Sequence, residues 1–216
     1  MSNLFSDVIH EAESAPRWPA AIALLLVGVS YMFLPRELIF GPRWLLLVLS
    51  IVMLLIFWLA RYLGHQRLAR WSSFLSIGLV TLALLVSTVF LTQQIQTDQI
   101  PAEELLRDAI ILWSINILTF AIWYWELDGG GPAHRKLHKH VVRDLLFPQM
   151  TRDGIASKNW APNFIDYLFV AFNSSTAFSP SDTLVLSRRI KLLMMLQTII
   201  SMTIILVLAS RAVSML

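Results

Sequence analysis

Asn163–Asp182 reads NFIDYLFVAFNSSTAFSPSD, and the interpretation of this stretch decides the fold. Its first half, through Phe172, is apolar. Its second half, Asn173-Ser174-Ser175-Thr176-Ala177-Phe178-Ser179-Pro180-Ser181-Asp182, is polar. A helix needs about 20 apolar residues to cross the hydrocarbon of a bilayer, so the apolar part is too short to span. Asn163 can cap a helix, and Asp166 stands three residues on, an arrangement resembling a capping box with Asp in place of Glu. Tyr167, Leu168, Val170 and Ala171 continue a helix of about three turns, which stops near residues 174–177. A basic group, Arg188, Arg189 and Lys191, follows, and then a long apolar run to the C-terminus. A short helix, a polar turn and a long helix are the parts of a re-entrant loop. Irregular backbone at membrane depth is tolerated where protein buries it or where it lines a water-filled cavity.

The rest of the chain supplies the membrane setting. Of its 216 residues 56% are hydrophobic and 14% charged, with a mean hydropathy of +0.65. Soluble domains carry about a quarter charged residues, so these values mark an integral membrane protein. Eight Trp and twelve Phe suit interfacial anchoring. The absence of cysteine excludes disulfides, thiolate metal sites and a cysteine nucleophile. Residues 1–17 are acidic and lack a basic n-region, so they read as an amphipathic lead-in, with Leu4, Phe5, Val8 and Ile9 on one side, and not as a signal peptide.

Five spans are predicted: 18–34, stopped by Pro35; 44–63; 71–92; about 105–125; and 190–213. Glu103 and Glu104 suit the N-terminus of the fourth. Asp128-Gly129-Gly130-Gly131-Pro132 ends it, since glycine favours a left-handed cap and proline cannot continue a helix. The connector 134–147, HRKLHKHVVRDLLF, places Leu137, Val141 and Leu145 on one face among basic residues. That pattern predicts an interfacial amphipathic helix beside anionic lipid, ended by Pro148, with 151–161 a loop. The expected architecture is therefore all-α: a lead-in (1–17), a three-helix part (18–100) and a pore-like part (101–216) with a re-entrant segment at 163–182.

Lys and Arg favour the cytoplasmic side. With the N-terminus inside and 163–182 re-entering, 13 of the 17 basic residues lie inside, leaving Arg36, Arg43, Arg107 and Arg211 outside. If 163–182 crosses, the division is 11 against 6. The re-entrant arrangement is preferred, with the N-terminus cytoplasmic and the C-terminus outside.

The chemistry follows from the turn. The C-terminal end of the short helix carries partial negative charge. Ser174, Ser175, Thr176 and Ser179 add hydroxyls, and Asp182 would form an acidic ring around a symmetry axis. These features favour a hydrated cation. Gln197 and Ser201, four apart in the last helix, form either a pore-lining stripe or interhelical hydrogen bonds. Ser114 and Asn116 read as packing contacts. Glu126 and Asp128 are interfacial carboxylates, either capping groups paired with Arg or Lys or, for Glu126, a clamp on Arg188 or Arg189. His134 and His138 have the spacing of a zinc pair, but a solvated basic face explains them equally well, and no metal or cofactor is expected. No nucleophile elbow, phosphate loop or dinucleotide fingerprint occurs, so neither an enzyme nor a nucleic-acid binder is expected.

From Asp166 onward, DYLFVAFNSSTAFSPSDTLVLSRRIKLLMMLQTIISMTIILVLASRAVSML resembles the pore helix, filter turn and inner helix of two-helix bacterial potassium channels. It also resembles the C-terminal half of a family of uncharacterised bacterial multi-pass membrane proteins, a likeness that extends to WYWELDGGGP at 123–132. The resemblance covers roughly the last hundred residues. It implies an ion-channel-like homo-oligomer, a tetramer by analogy, in the bacterial cytoplasmic membrane. Asn173, Ser174, Ser175, Thr176, Ala177, Phe178, Ser179 and Asp182 then stand in the place of the filter. A potassium filter has a Thr-Val-Gly-Tyr-Gly type sequence, whose glycines let successive carbonyls face the axis. Here the turn has no glycine, and Pro180 fixes its own φ, so potassium selectivity is not implied. Two readings remain: an oligomeric cation-conducting pore, and a non-conducting scaffold or regulatory subunit that keeps a pore-like fold.

Overall fold

Proline and glycine punctuate the chain into its helices. The computed structural model describes residues 17–94, 101–137, 143–151, 160–179 and 182–214. Helix α1 (Trp18–Met32) has Pro19 in its first turn, where the missing N–H leaves no bond unmade, and Pro35 lies just beyond its end. A 3₁₀ turn, Arg36–Leu38, leads towards α2 (Leu45–Tyr62). Helix α2 ends at Gly64, whose φ is 75°. The His65 N–H reaches Ala60 O at 2.8 Å and the Gly64 N–H reaches Arg61 O at 3.0 Å, the paired bonds of a left-handed C-cap. Helix α3 (Gln66–Gln94) follows at once and begins five residues before the apolar run that predicted it. Helix α4 (Ala102–Leu127) opens after Pro101.

Beyond α4 come a 3₁₀ turn (Asp128–Gly130), α5 (Pro132–Leu137), β1 (Leu145–Leu146), a second 3₁₀ turn (Pro148–Met150), α6 (Phe164–Thr176), β2 (Leu184–Val185) and α7 (Arg188–Ser214). Strands β1 and β2 pair antiparallel, with Leu145 opposite Val185 and Leu146 opposite Leu184.

Four of these helices, α2, α3, α4 and α7, are long and apolar enough to cross a membrane, and α1 is a shorter apolar helix of 15 residues. Helix α4 is the axis of the fold. In its most apolar window 61% of residues are buried, against 22% for α2, 44% for α3 and 28% for α7. It packs on α1, α3, α6 and α7. The outer helices turn Leu55, Trp58, Leu59, Leu82, Leu192 and Leu206 outward, a surface matched to hydrocarbon.

The structure corrects the predicted amphipathic helix over 134–147. Helical backbone is described only for 132–137, and 143–147 is extended, with Leu145 buried in the core. The cause is local. The Asp128 carboxylate accepts the backbone N–H groups of Asp144 and Leu145, which pins this stretch as a strand against β2. The N-terminal lead-in, His138, His140, Pro180 and Ser181 lie outside the described residues.

Helices α1 and α2 approach closely at Gly28. A Cβ there would stand 2.9 Å from Leu47 Cδ1 and 3.0 Å from Leu47 Cα. Gly28→Val is expected to push the helices apart and cost about 1–3 kcal/mol, the usual penalty of overpacking. Thermal unfolding of the detergent-solubilised protein checks this against Gly78→Val, because a Cβ at Gly78 meets nothing within 4 Å.

Candidate functional site

The short helix α6 is fixed at both of its ends. At its start Asn163 Oδ1 accepts the Ile165 N–H at 2.8 Å, and Asp166 Oδ2 accepts the Asn163 N–H at 2.7 Å, so the capping arrangement forms. One turn on, the buried Tyr167 hydroxyl donates to Asp128 Oδ2 at 2.7 Å. The ring of Tyr167 lies edge-on to Trp125 and Phe147, each 5.4 Å away.

Asp128 is fully buried, and its two oxygens are the hub of this end of the molecule. Oδ1 accepts Asp144 N–H (2.8 Å) and Leu145 N–H (3.0 Å). Oδ2 accepts Tyr167 and lies 3.5 Å from Arg143 Nη1. The turn that places Asp128 needs glycine, because Gly129, Gly130 and Gly131 have φ of 55°, 81° and 98°. The Gly129 N–H returns the bond to Asp144 Oδ2 at 2.9 Å. Asp144 also receives a two-pronged contact from Arg189, whose Nη2 donates to Leu127 O as well. Arg135 Nη1 donates to Trp125 O (2.7 Å) and Asp128 O (2.6 Å), and its guanidinium lies 4.7 Å from the Trp125 ring centre. His134 Nδ1 lies 2.9 Å from Gly129 O; a carbonyl only accepts, so this nitrogen carries the proton.

Burial sets the electrostatics here. It pulls the Arg135 guanidinium down from its ordinary value, opposed by the nearby Tyr167 and Asp128, but guanidinium stays protonated at physiological pH. Burial likewise lowers Arg17, which Glu126 opposes from 3.6 Å. For Asp144, burial acts upward, but the hydrogen bonds from Arg189, Ser187 and the Gly129 N–H outweigh it and hold the carboxyl below its ordinary value.

The far end of α6 is held inside the helix bundle. The Gln197 amide of α7 donates to Ala171 O (2.8 Å) and Ser175 Oγ (2.9 Å), while its carbonyl oxygen accepts from the Tyr124 hydroxyl. The Ser201 hydroxyl donates to Ser175 O at 2.6 Å, and the Asn116 amide donates to Gln197 O at 3.3 Å. This clamp joins α4, α6 and α7 through buried side chains.

The structure therefore places the sequence-selected residues in three groups. Ser174, Ser175, Gln197 and Ser201 are buried, and the hydrogen bonds described for Ser175, Gln197 and Ser201 join helices of the same chain. Asn173 is half-buried and its amide donates to Phe169 O. Thr176, Ala177, Phe178, Ser179 and Asp182 are exposed. Phe178 has a φ of 53°, left-handed backbone that costs an L residue roughly 1–2 kcal/mol. The proposed clamp of Glu126 on Arg188 or Arg189 is corrected. Glu126 faces Arg17 across the α1–α4 contact, while Asp144 takes the Arg189 guanidinium. Arg188 is exposed.

Tyr167, Asp144, Arg135 and Arg143 were not singled out by sequence reasoning. One signal was available: Asp144 is the only acidic residue in the basic stretch 134–147. No family model matches this chain, and neither a curated protein nor a solved structure matches it.

Two outcomes are expected at the hub. Tyr167→Phe removes a hydrogen bond to a buried carboxylate and should cost about 1.5–3 kcal/mol in thermal or denaturant unfolding. Asp128→Asn should cost more, about 3–5 kcal/mol, because it leaves buried guanidinium groups without their counter-charge. The Asp144 carboxyl gives the pH dependence. Its folded-state value lies below the unfolded value of about 3.9, so its contribution is complete above that pH and is lost as pH falls through the lower value. Melting curves across the acid range should show Asp144→Asn losing less stability than the wild type below about pH 4.

Proposed function

We propose that this chain is an ion-channel-like integral membrane protein that assembles as a homo-oligomer, with α6 and the turn 176–182 forming a re-entrant element between its subunits. The observation that carries the reading is that both ends of residues 163–187 are tied to one end of α4. Tyr167 bonds Asp128; on the way out, β2 pairs with β1 and the Leu186 N–H donates to Asp144 O. Between these anchors Ser175 reaches Ser201, 13 residues beyond Arg188 in α7, which is about 20 Å of helix and beyond the middle of a 30 Å core. The chain returns from the end of α6 to β2 within residues 177–183. With α1, α2, α3, α4 and α7 crossing, five spans and one re-entrant segment result.

The anchored end is also the basic end. Arg17, Arg61, Arg67 and Arg70 line one cavity there with His134, and Arg135, Arg143 and Arg189 belong to the hub. The excess of positive charge supports a cytoplasmic side for this end and for the N-terminus. At membrane depth the exposed backbone of 177–179 needs cover from water or a second subunit, which supports an oligomer around it. A hydrated inorganic cation is the species favoured by the hydroxyls, the α6 C-terminal dipole and Asp182.

A specific observation favours the second reading, a non-conducting scaffold or regulatory subunit. Ser175, Gln197 and Ser201 are spent within the subunit, and the outward residues of α7, Leu192, Met195, Ile199, Met202 and Leu206, are apolar.

Two measurements separate these readings. The chain lacks cysteine, so single-cysteine variants label cleanly. Ala161→Cys and Arg188→Cys, which flank the segment and are both exposed, are expected to react with an impermeant thiol reagent from the same side of the membrane, and labelling from opposite sides would sink the re-entrant topology. In proteoliposomes, cation flux that falls in Asp182→Asn supports the pore. Absence of flux from wild-type protein with the labelling pattern intact leaves the scaffold.

A further inference from the structure

Beside the hub lies a cavity of about 480 Å³ between the start of α1, the end of α4, α5 and the N-terminus of α6. Arg135 and Arg143 line it together with Trp18, Trp125, Asn163 and Ile165. Trp18 and Ile165 are exposed at its rim, while Arg135 is only 7% exposed. The Arg135 Nη2 atom is buried and has no hydrogen-bond partner among the described residues. Arg143 Nη1 is buried too, and its 3.5 Å approach to Asp128 is an ion-pair distance without hydrogen-bond geometry.

The charges do not cancel. Among the described residues the hub has two carboxylates, Asp128 and Asp144, against three guanidiniums, Arg135, Arg143 and Arg189; the Arg17–Glu126 pair adds nothing. A buried cation without a counter-ion is costly, and guanidinium does not escape by losing its proton. An anion of matching shape removes the cost, and planar N–H forks match phosphate oxygens. The N-terminus of α6 borders the same space, but Asn163 and Asp166 already cap it, so the two guanidiniums carry the site.

We propose that this cavity binds a phosphate group through Arg135 and Arg143, carried by the headgroup of an anionic lipid or by a free phosphate anion. The apolar rim at Trp18 and Ile165 gives an acyl chain a surface to lie on, and interfacial Trp is suited to that depth. The proposal does not require that the chain conducts, and its test involves no flux.

The full-length protein, stripped of lipid in a neutral detergent, is titrated with phosphatidylglycerol, with a phosphate-free neutral glycolipid, and with inorganic phosphate. Retention is read by native mass spectrometry and by the shift in melting temperature. Phosphatidylglycerol is expected to bind at least about tenfold more tightly than the glycolipid, the margin of a charge-assisted hydrogen bond. Arg143→Gln and Ile165→Trp, which remove a cation and fill the rim, should each erase most of that margin. Arg36→Gln, outside the cavity, should leave it intact. Arg135→Gln is the less clean variant, because it also takes the donor from Trp125 O and Asp128 O. Inorganic phosphate that displaces the lipid and raises the melting temperature by itself assigns the site to a free anion. Lipid binding that resists it assigns the site to a headgroup. Equal retention of phosphatidylglycerol and the glycolipid with no response to phosphate, or wild-type binding by both variants, overturns the proposal.

Discussion

The structure depends on one buried carboxylate. Asp128 follows the last residue of α4 and is wholly withdrawn from solvent. Removing a carboxylate from water costs several kcal/mol unless charge and hydrogen bonds replace the lost hydration. Here they come as four groups from two pieces of chain: the Arg143 guanidinium and the backbone N–H groups of Asp144 and Leu145 from one, and the Tyr167 hydroxyl of α6 from the other. Each partner must be in place for Asp128 to be tolerated, so satisfying this charge assembles the end of α4, the β-bridge and the start of α6 together. The glycines at 129–131 are part of the same requirement. They let the backbone double back so that the strand reaches the carboxylate, and Gly129 adds the reciprocal bond to Asp144.

Asp144 extends this logic to the last helix. Arg189, in the first turn of α7, bridges the Asp144 carboxylate and the Leu127 carbonyl, so α7 begins at a fixed height against α4. That height sets the level of Gln197 and Ser201, which grip the C-terminal turn of α6. The Asp128–Asp144 hub thus fixes one end of α6 directly and the other through ten residues of α7. Interhelical hydrogen bonds in membranes contribute only about 0.6 kcal/mol each on average, so the Gln197 cluster acts more through geometry than through energy. Its donors and acceptors interlock, and a rotation of α7 would break several at once.

Sequence made the spanning helices legible because uninterrupted apolar length is a strong signal with few competitors. The boundaries at Pro35, Gly64 and Pro101 were legible for the same reason: their backbone chemistry is local. The cap at Asn163 and Asp166 was visible too, since all its atoms lie within four residues. What the sequence hid was pairing at a distance. In 134–147 the apolar residues recur at helical spacing, yet Leu145 is drawn into a strand by Asp128, 17 positions away. The helical period was present, but it lost to the hydrogen-bonding demand of a buried charge. Glu126 and Arg189 had suitable charges and sat near the right helix ends. Which arginine each carboxylate takes was decided by the direction in which the glycine turn carries the chain, and that is not a property of either residue. Gln197 was readable as a polar group in an apolar helix, whereas its engagement with Ser175 required knowing the depth at which α6 ends.

These constraints also bear on what the turn beyond α6 can do. Gln197 and Ser201 hold Ser175 on the α7 side, so among the described residues the exposed polar groups lie at and beyond the helix end: Thr176, Ser179 and Asp182. The left-handed backbone at Phe178 is carried by a residue that resists it, without the glycine that would relieve it. A filter of carbonyls in register needs alternating backbone angles at several successive residues, and non-glycine residues supply those only at a cost that accumulates. On the pore reading proposed above, a turn of this composition suits contact with a hydrated ion through side-chain oxygens better than stripping an ion of its water through backbone oxygens. The two anchors of α6 fix where this turn begins, and the exposed polar side chains of Thr176, Ser179 and Asp182 are the groups it presents.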